Sequence, residues 1–405
     1  MTASRFVATL GATMAAANYP VTMVREVMAQ TSRSYGLDHQ FLALPNYVQV
    51  GSPTGEGLYI ANPDFTLRYD QSFPLAQLVA RAPTGTVDPA EGIVELDRIR
   101  NQERRFPIWV TVIGYAVQSA GLALILQPTL LSLLGATLLG LLVGALSVLG
   151  RKIDAIGYLL PTICSFLVAF LVFTFDAHWH MGHDSLRALA APLATFLPGA
   201  AITLAVIELS THHVVSGASR LVAGFMQIAQ LAFGILIAAQ VVGVADNAFV
   251  TTEINQLGAW APLVGVVVYG LGAMLNFGPP TSFLPWMLLM LLTAYAGQWI
   301  GNEVLGSYAS GFGGGLTLIV FALAISHRPN TPPTVSLILP GFWLLVPGSL
   351  GFMGVTELIG THSTGMFTAT LISMMSIAVG VQTGLLLWRA AIQLSSSPQR
   401  RAMHD

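Results

Sequence analysis

Residues 129–149 read TLLSLLGATLLGLLVGALSVL, an apolar run without a single charged side chain. A helix rises 1.5 Å per residue, so a run of this length spans about 30 Å, the thickness of the hydrocarbon core of a bilayer. The stretch therefore predicts a transmembrane helix, and it sets the interpretation of the sequence around it.

Similar apolar runs recur along the chain after residue 107. Each is long enough to cross a bilayer, and several contain Pro or Gly, which membrane helices tolerate when neighbouring groups satisfy the freed backbone. With residues 129–149 they predict an all-α polytopic membrane protein of about ten spans, the others being 108–127, 156–175, 186–207, 217–242, 258–276, 283–300, 304–325, 334–355 and 364–388.

Charged residues are scarce and unevenly distributed. They make up 9% of the 405 residues, whereas soluble domains carry about 25%. Residues 1–107 nevertheless hold 9 of the 17 basic and 10 of the 19 acidic side chains. This pattern predicts a small soluble domain over 1–107 that precedes the membrane part. The net charge of −2 gives no reason to expect a nucleic-acid partner.

Residues 1–107 have the pattern of a small α+β domain. Apolar residues spaced by three or four predict a helix over Arg5–Ser34, broken or kinked at Pro20. Short apolar runs between turn residues predict four strands, and a polar helix is expected before the membrane. The predicted strands are Phe41–Leu44, Tyr47–Val50, Leu58–Ala61 and Phe65–Tyr69, and the polar helix is Glu91–Arg105.

Basic residues in the short loops predict the orientation, because cytoplasmic loops are enriched in Lys and Arg. Ten crossings that start inside place all but one of these basic residues in the cytoplasm. We therefore expect an inner (plasma) membrane protein with both termini cytoplasmic, comprising a first membrane half (108–242), a second half (258–388) and a tail (389–405).

Leu197-Pro198-Gly199 recurs 142 residues later as Leu339-Pro340-Gly341. At the same offset Phe225 matches Phe367, and Gln240 matches Gln382. Five spans precede the second half, and a duplicated unit with an odd number of spans must be inverted relative to its twin. The pattern therefore favours a 5+5 inverted repeat, the architecture of many secondary transporters.

Motifs for ATP hydrolysis (GxxxxGK[ST]), zinc proteolysis (HExxH) and serine hydrolysis (GxSxG) are absent from the sequence. We expect neither an enzyme nor a cofactor. His178, His180 and His183 form a spacing that can bind zinc, but one exposed loop supplies no supporting shell, so no metal site is predicted. The alternative, a membrane-anchored enzyme or sensor using Ser34, Asp38 and His39, lacks a nucleophile–base pattern.

Interrupted helices are the best candidates for a substrate site, because the N-terminus of a half-helix presents free N–H groups that suit a carboxylate. Membrane-embedded glutamines are the next candidates, since each costs energy in lipid unless it is paired. The predicted substrate-binding residues are Pro198, Gly199, Gln227, Gln240, Pro340, Gly341, Pro347, Gly348 and Gln382, and Leu160-Pro161 marks a further expected break.

Glu208 ends the span that carries the first Leu-Pro-Gly break. Burial would favour its protonated form, as proton coupling requires, and Arg220 lies close in sequence. The alternative interpretation is a solvated helix-end carboxylate paired with Arg220. Both residues are candidates for proton coupling.

The chain resembles the threonine/serine exporters in their fused ten-span form. The likeness includes Gly11-Ala12-Thr13, Val24 to Met28, Tyr35-Gly36-Leu37, Leu197-Pro198-Gly199 and Glu208-Leu209-Ser210, and its most specific stretch is Leu339 to Gly351. The resemblance implies proton-driven export of L-threonine and L-serine. Related two-subunit proteins are linked to succinate export, which remains the alternative, although few basic residues line the spans. The expected partners are the substrate, the lipid bilayer and, as an option, further copies of the chain.

Overall fold

The computed structural model describes residues 2–51, 58–63, 65, 67–126, 129–151, 153–179, 185–244, 257–306, 309–328, 331–332, 334–345 and 365–401. In chain order the elements are α1 (Thr2–Ala16), α2 (Val21–Ser34), β1 (Gln40–Leu44), β2 (Tyr47–Gly51), β3 (Leu58–Ala61), α3 (Tyr69–Arg81), α4 (Pro89–Arg100), α5 (Ile108–Ile125), α6 (Leu130–Gly150), α7 (Asp154–Trp179), α8 (Ser185–Leu193), α9 (Gly199–Ser210), α10 (Val214–Val242), α11 (Ala261–Phe277), α12 (Leu284–Leu305), α13 (Ser310–Ser326), α14 (Thr334–Leu345) and α15 (Gly365–Arg401).

These elements divide into two compact units. Unit 1 comprises Met1–Phe106, Leu204–Ala223 and Phe277–Pro280. Unit 2 comprises Pro107–Thr203, Gly224–Asn276 and Thr281–Asp405. Unit 1 therefore contains the N-terminal region and, in addition, the segment where α9 ends and α10 begins.

The core of unit 1 lies between its first two helices and one face of the sheet. Phe6, Leu10 and Met14 recur every four residues along α1 and are fully buried, as expected for the core-facing stripe of a helix. The three strands pair in the order β1-β2-β3, antiparallel throughout. Val48 and Val50 of β2 are buried, because alternate residues of a strand point to the same face of the sheet.

The sequence predicted part of unit 1 correctly. Three of the four strands lie within one residue of their predicted bounds, and the predicted N-terminal helix is broken into α1 and α2 at Pro20. The strand predicted at Phe65–Tyr69 is wrong, because Tyr69 begins helix α3, whose start is capped by a hydrogen bond from the Arg68 N–H to the Gln71 side chain. The polar helix is also shorter than predicted and covers Pro89–Arg100, with the Asp88 carboxylate accepting from Ala90 and Glu91.

Helices that can cross a membrane dominate the rest of the chain. Among the described residues, six helices are long and apolar enough, and a seventh span arises if the bent pair Leu189–Phe196 and Gly199–Ser210 counts as one. Ala261–Phe277 and Ser310–Ser326 are apolar but shorter. The chain is therefore a polytopic helical membrane protein, and the predicted count of ten stays a prediction, since part of the ninth span, 346–355, lies outside the described residues.

Helices of unit 2 pack through buried apolar side chains and through polar contacts to the backbone. One cluster of buried side chains joins α5, α6, α7, α8 and α10, with Cys164, Val168 and Leu231 fully buried. Polar groups in it bond to backbone: the Tyr115 hydroxyl donates to the carbonyl oxygen of Pro192 at 3.0 Å. Membrane helices pack without a hydrophobic driving force between them, so such contacts and close backbone approach hold them together.

Candidate functional site

The break predicted at Leu197-Pro198-Gly199 is present in the structure. The helical segment Leu189–Phe196 ends there, α9 begins at Gly199, and the two segments are bent by 51°. Leu197 is extended, with φ −76° and ψ 126°, as expected for a residue that precedes proline. A half-helix therefore starts at Gly199, and its first N–H groups have no acceptor within the helix.

Helix α10 lies close to this half-helix because of Gly224. A Cβ added at Gly224 would lie 2.6 Å from Cγ1 of Ile202 and 3.5 Å from Cβ of Pro198. Gln227 follows three residues later on the same face of α10 and is partly buried. The structure thus gathers three predicted residues, Pro198, Gly199 and Gln227, in one part of unit 2.

Two other predicted breaks are wrong. Helix α7 continues through Pro161, and helix α14 continues through Pro340 and Gly341. Proline inside a membrane helix costs one backbone hydrogen bond, which neighbouring groups can replace, so it need not end the helix. Gly341 instead serves packing, since an added Cβ would meet the Leu318 side chain of α13. Pro347 and Gly348 lie outside the described residues.

Glu208 is fully buried in unit 1 and carries three polar contacts. Its Oε1 accepts from the Val21 N–H at 3.1 Å, and its Oε2 accepts from the Ser216 hydroxyl at 2.7 Å. Arg220 Nε lies 3.2 Å from Oε2, without hydrogen-bond geometry, so this contact is ionic. The pairing with Arg220 follows the sequence interpretation, whereas the solvated environment does not, because Glu208 is 0% exposed.

These contacts tie the α9–α10 segment to the turn between α1 and α2. Val21 is the first residue of α2, so a carboxylate at its N–H interacts favourably with the positive end of the helix dipole. Arg220 donates to the Tyr19 carbonyl at 3.3 Å and lies 3.5 Å from the Asn18 side-chain oxygen. We refer to Glu208, Arg220, Ser216 and the Asn18–Val21 turn as the Glu208 node.

Comparison with known proteins decides the family. Residues 5–242 match the family described as "Putative threonine/serine exporter" (ThrE). The chain belongs to this exporter family. The matched range includes the break at Pro198, Gln227 and every residue of the Glu208 node.

Curated relatives agree with a membrane protein. The chain is 24% identical to "Pheromone-regulated membrane protein 10" of Zygosaccharomyces rouxii, over 90% of this chain and 40% of that protein. Proteins with the same name from Saccharomyces cerevisiae and Candida glabrata are 25% and 23% identical, over 90% of this chain and 51% and 50% of theirs. The chain thus spans about half or less of the length of these relatives. No solved structure matches it.

Gln240 and Gln382 are the other two glutamines predicted for the substrate site of this exporter-family chain. Gln240 is exposed and follows Gln227 by thirteen residues, or about 20 Å along α10, so the two cannot contact one small substrate together. Gln382 lies in α15 and is partly buried. In the part of the chain that the structure describes, no group of three or more His, Cys, Asp or Glu could hold a metal ion.

Sequence reasoning missed a polar contact between α5 and α11. The Asn276 amide donates to the Gln118 side-chain oxygen at 2.8 Å, and both residues are more than nine-tenths buried. The Tyr269 hydroxyl is also hydrogen-bonded to Gln118. A glutamine inside a predicted span was the available signal, since buried amides in lipid need partners.

Glycines bring these two helices into direct backbone contact. A Cβ added at Gly121 would lie 2.5 Å from the Tyr269 Cα, and one added at Gly272 would lie 2.5 Å from the Gln118 Cα. At one end of the crossing Gly114 meets Asn276, and at the other Gly265 meets Ile125. No substrate fits between backbones this close, so the crossing is a packing contact.

Proposed function

We propose that this protein exports L-threonine and L-serine from the cytoplasm as a proton-coupled secondary transporter of the plasma membrane. The observation that carries the proposal is the interrupted span at Pro198–Gly199, with Gln227 on the adjoining face of α10. The N-terminus of a half-helix suits the substrate carboxylate, and a glutamine side chain can both donate to and accept from a hydroxyl group.

The α5–α11 crossing supports an inverted repeat. An offset of 151 residues maps Gly114 onto Gly265, Gly121 onto Gly272 and Gln118 onto Tyr269. The same offset exchanges the contacts: Gly121 packs on the backbone of Tyr269 as Gly272 packs on that of Gln118. Contacts that exchange in this way are those of a local two-fold axis, which inverted-repeat transporters have between their halves. This offset differs from the 142 residues between the two Leu-Pro-Gly motifs, so an inverted repeat would require connections of different length inside the two halves.

The distribution of charge favours a substrate without net charge. A dicarboxylate carrier would be expected to line its path with Arg or Lys. Arg220, the basic residue closest to a span interior, is instead engaged by Glu208 and by the Tyr19 carbonyl within unit 1. A zwitterionic amino acid needs no such cation, since a helix N-terminus and carbonyl oxygens suffice.

The Glu208 node is proposed as the coupling element. Protonation of Glu208 would remove both the ion pair with Arg220 and the negative charge at the start of α2. Binding of a proton to Glu208 would then free the Asn18–Val21 turn in the same event. Glu208 and Gly199 lie near opposite ends of α9, a helix about 18 Å long.

Transport by the purified protein in liposomes tests the proposal. The vesicles contain labelled L-threonine, L-serine or succinate, and release is measured with and without an imposed pH gradient. Threonine and serine release that rises with the gradient supports the proposal. Release of succinate alone would indicate a dicarboxylate exporter and would refute the inference that the scarcity of basic residues favours a substrate without net charge.

Two variants test the site assignment in the same assay. Pro198→Ala should impair release, because it removes the constraint that ends the preceding helical segment. Pro161→Ala is the matched control, since Pro161 lies within a continuous helix. Equal release from both variants would show that Pro198 is not needed at the substrate site. It would not contradict the proposed substrates.

A further inference from the structure

An open cavity of about 260 Å³ lies beside the Glu208 node in unit 1. It is lined by the start of α2, by strand β1, and by the turn and first residues of α10. Pockets for drug-sized ligands measure about 300–1,000 Å³, so this cavity suits a smaller molecule.

One wall of the cavity carries an arginine without an acidic partner. Arg25 lines the cavity, and within the described residues no carboxylate lies within ion-pair distance of it. Its Nη1 lies 3.5 Å from Nε2 of His213. The Nδ1 of His213 lies 2.9 Å from the Thr211 carbonyl, which can only accept, so Nδ1 carries the proton and the ring brings no negative charge to Arg25. Arg25, which is exposed, therefore has no acidic partner among the described residues and offers a positive charge at the cavity.

The first turn of α10 also lines the cavity. Val214, Val215 and Ser216 line it, and the first N–H groups of a helix have no acceptor within the helix. No other acceptor for these three N–H groups is found among the residues that the structure describes. Together with Arg25 they favour an anion.

Apolar residues of strand β1 also line the cavity. They are Phe41 to Leu44, and Val21 of α2 adds to them. A purely hydrated ion such as phosphate would gain nothing from these residues, whereas a small organic acid could place its aliphatic part against them. The volume and the lining residues thus favour a compact molecule with a carboxylate at one end.

The turn that enters the cavity is strained. Helix α9 ends with hydrogen bonds from His212 N–H to the Leu209 carbonyl and from His213 N–H to the Glu208 carbonyl. This is the pattern of a Schellman turn, whose left-handed position is usually glycine. Here that position is His212, with φ 64°. Strain at a non-glycine residue concentrates at functional sites, which agrees with a ligand-binding role for the cavity.

We propose that this cavity binds a small aliphatic carboxylate, held by Arg25 and the first turn of α10 and packed against β1. The choice of L-threonine and L-serine as the first ligands to test rests on the proposed function. The inference that a carboxylate binds rests on the lining residues alone. Binding would stabilise the Glu208 node, because Val21 and Ser216 line the cavity and both donate hydrogen bonds to Glu208. The cavity would then act as a ligand sensor on the proposed coupling element.

Protection of an introduced cysteine gives a local readout. Val215 lines the cavity and is 67% exposed, while Cys164, the single native cysteine, is fully buried. The full-length Val215→Cys protein, in a Cys164→Ala background, is labelled with a maleimide in the presence of L-threonine, L-serine, acetate, succinate or phosphate. At ten times the dissociation constant a bound carboxylate should slow labelling about tenfold, because occupancy follows mass action.

Matched ligands and variants decide the outcome. L-threonine methyl ester, which lacks the carboxylate, should not protect. Arg25→Gln should abolish protection, whereas Arg33→Gln, an exposed arginine on the same helix outside the cavity, should leave it unchanged. Protection by acetate or succinate but not by the amino acids supports the site and identifies its ligand as another organic acid.

Three results would overturn the cavity proposal: no protection by any carboxylate, equal protection by the ester, or protection that survives Arg25→Gln. Liposome transport separates this failure from failure of the proposed function. Threonine export without protection of the introduced cysteine would refute the cavity proposal alone. Protection without export of threonine or serine would support the cavity proposal and refute the proposed transport function.

Discussion

Glu208→Gln should loosen the turn between α1 and α2 without unfolding the membrane helices. Glutamine has nearly the same volume as glutamate but no charge, so Arg220 would remain buried with only the Tyr19 carbonyl and the Asn18 side chain as partners. Removing one partner of a buried ion pair costs about 3–5 kcal/mol. The lost charge at the start of α2 adds about 0.3–1 kcal/mol.

Hydrogen exchange at the backbone measures this cost where it arises. The Val21 N–H donates to Glu208 at 3.1 Å, so its exchange reports opening of the node. A loss of about 3 kcal/mol corresponds to roughly 100-fold faster exchange, since each 1.4 kcal/mol is a factor of ten. Mass spectrometry of peptides covering residues 17–26 resolves such a change, and peptides from α6 serve as an internal reference.

Two variants calibrate the measurement. Glu95→Gln breaks the partly exposed pair with Arg81, for which about 0–1 kcal/mol is expected. The double variant Glu208→Gln, Arg220→Met removes both charges and should recover much of the protection, because a buried pair can often be replaced by apolar residues without loss. If Glu208→Gln accelerates exchange at 17–26 no more than Glu95→Gln does, the buried pair does not hold the turn, and our account of the node is wrong.

Three further outcomes follow from the structure. Gly272→Ala should destabilise unit 2 in thermal unfolding by at least the roughly 1–3 kcal/mol of an overpacked core, because the new methyl group meets backbone. Gly135→Ala is the control: it has open space around it and should be neutral or slightly stabilising. Burial lowers the pKa of His39, although the charge of Asp38 acts to raise it. Because the unfolded chain then binds a proton more readily than the folded one, unit 1 should lose stability as pH falls below about 6.5. His39→Gln should remove that part of the pH dependence of unfolding. His212→Gly should stabilise unit 1 by up to about 1 kcal/mol and so raise its unfolding midpoint, because glycine adopts the left-handed conformation without strain. The same variant should weaken the protection of the cysteine introduced in the cavity.

Local signals predicted the elements whose structure is decided locally. Strands β1 and β2 are joined by Pro45-Asn46, a turn signal that fixes the hairpin register whatever packs against it. The same reasoning failed at Phe65–Tyr69, whose aromatic residues favour a strand. The start of α3 depends on the hydrogen bond from Arg68 to Gln71 and on Gln71 reaching the Ile99 carbonyl at 2.8 Å. That last contact is between distant parts of the chain and leaves no local trace.

The proline breaks show a similar division. Pro161, Pro198 and Pro340 are all preceded by leucine inside apolar runs, yet only Pro198 ends a helix among these three. Whether a proline interrupts a membrane helix depends on which neighbours satisfy the freed carbonyl. A second proline at Pro192 and a 3₁₀ turn at Ala194–Phe196 precede the Pro198 break, a combination that the other two lack and that sequence reasoning did not weigh.

The environment of Glu208 could not be predicted, because its partner Val21 lies 187 residues away in the sequence. Its proximity to Arg220 in sequence suggested the ion pair but also suggested exposure at a loop. What changes the interpretation is that one short segment carries three separate features: a buried carboxylate at position 208, a left-handed histidine at 212 and, at 213, a cavity-lining histidine beside Arg25. A loop with only a connecting role would have no reason to keep a strained histidine where glycine costs less. The segment is therefore better explained as a device that holds the start of α2 in place, and that a small carboxylate can reinforce, than as a passive turn between two membrane helices.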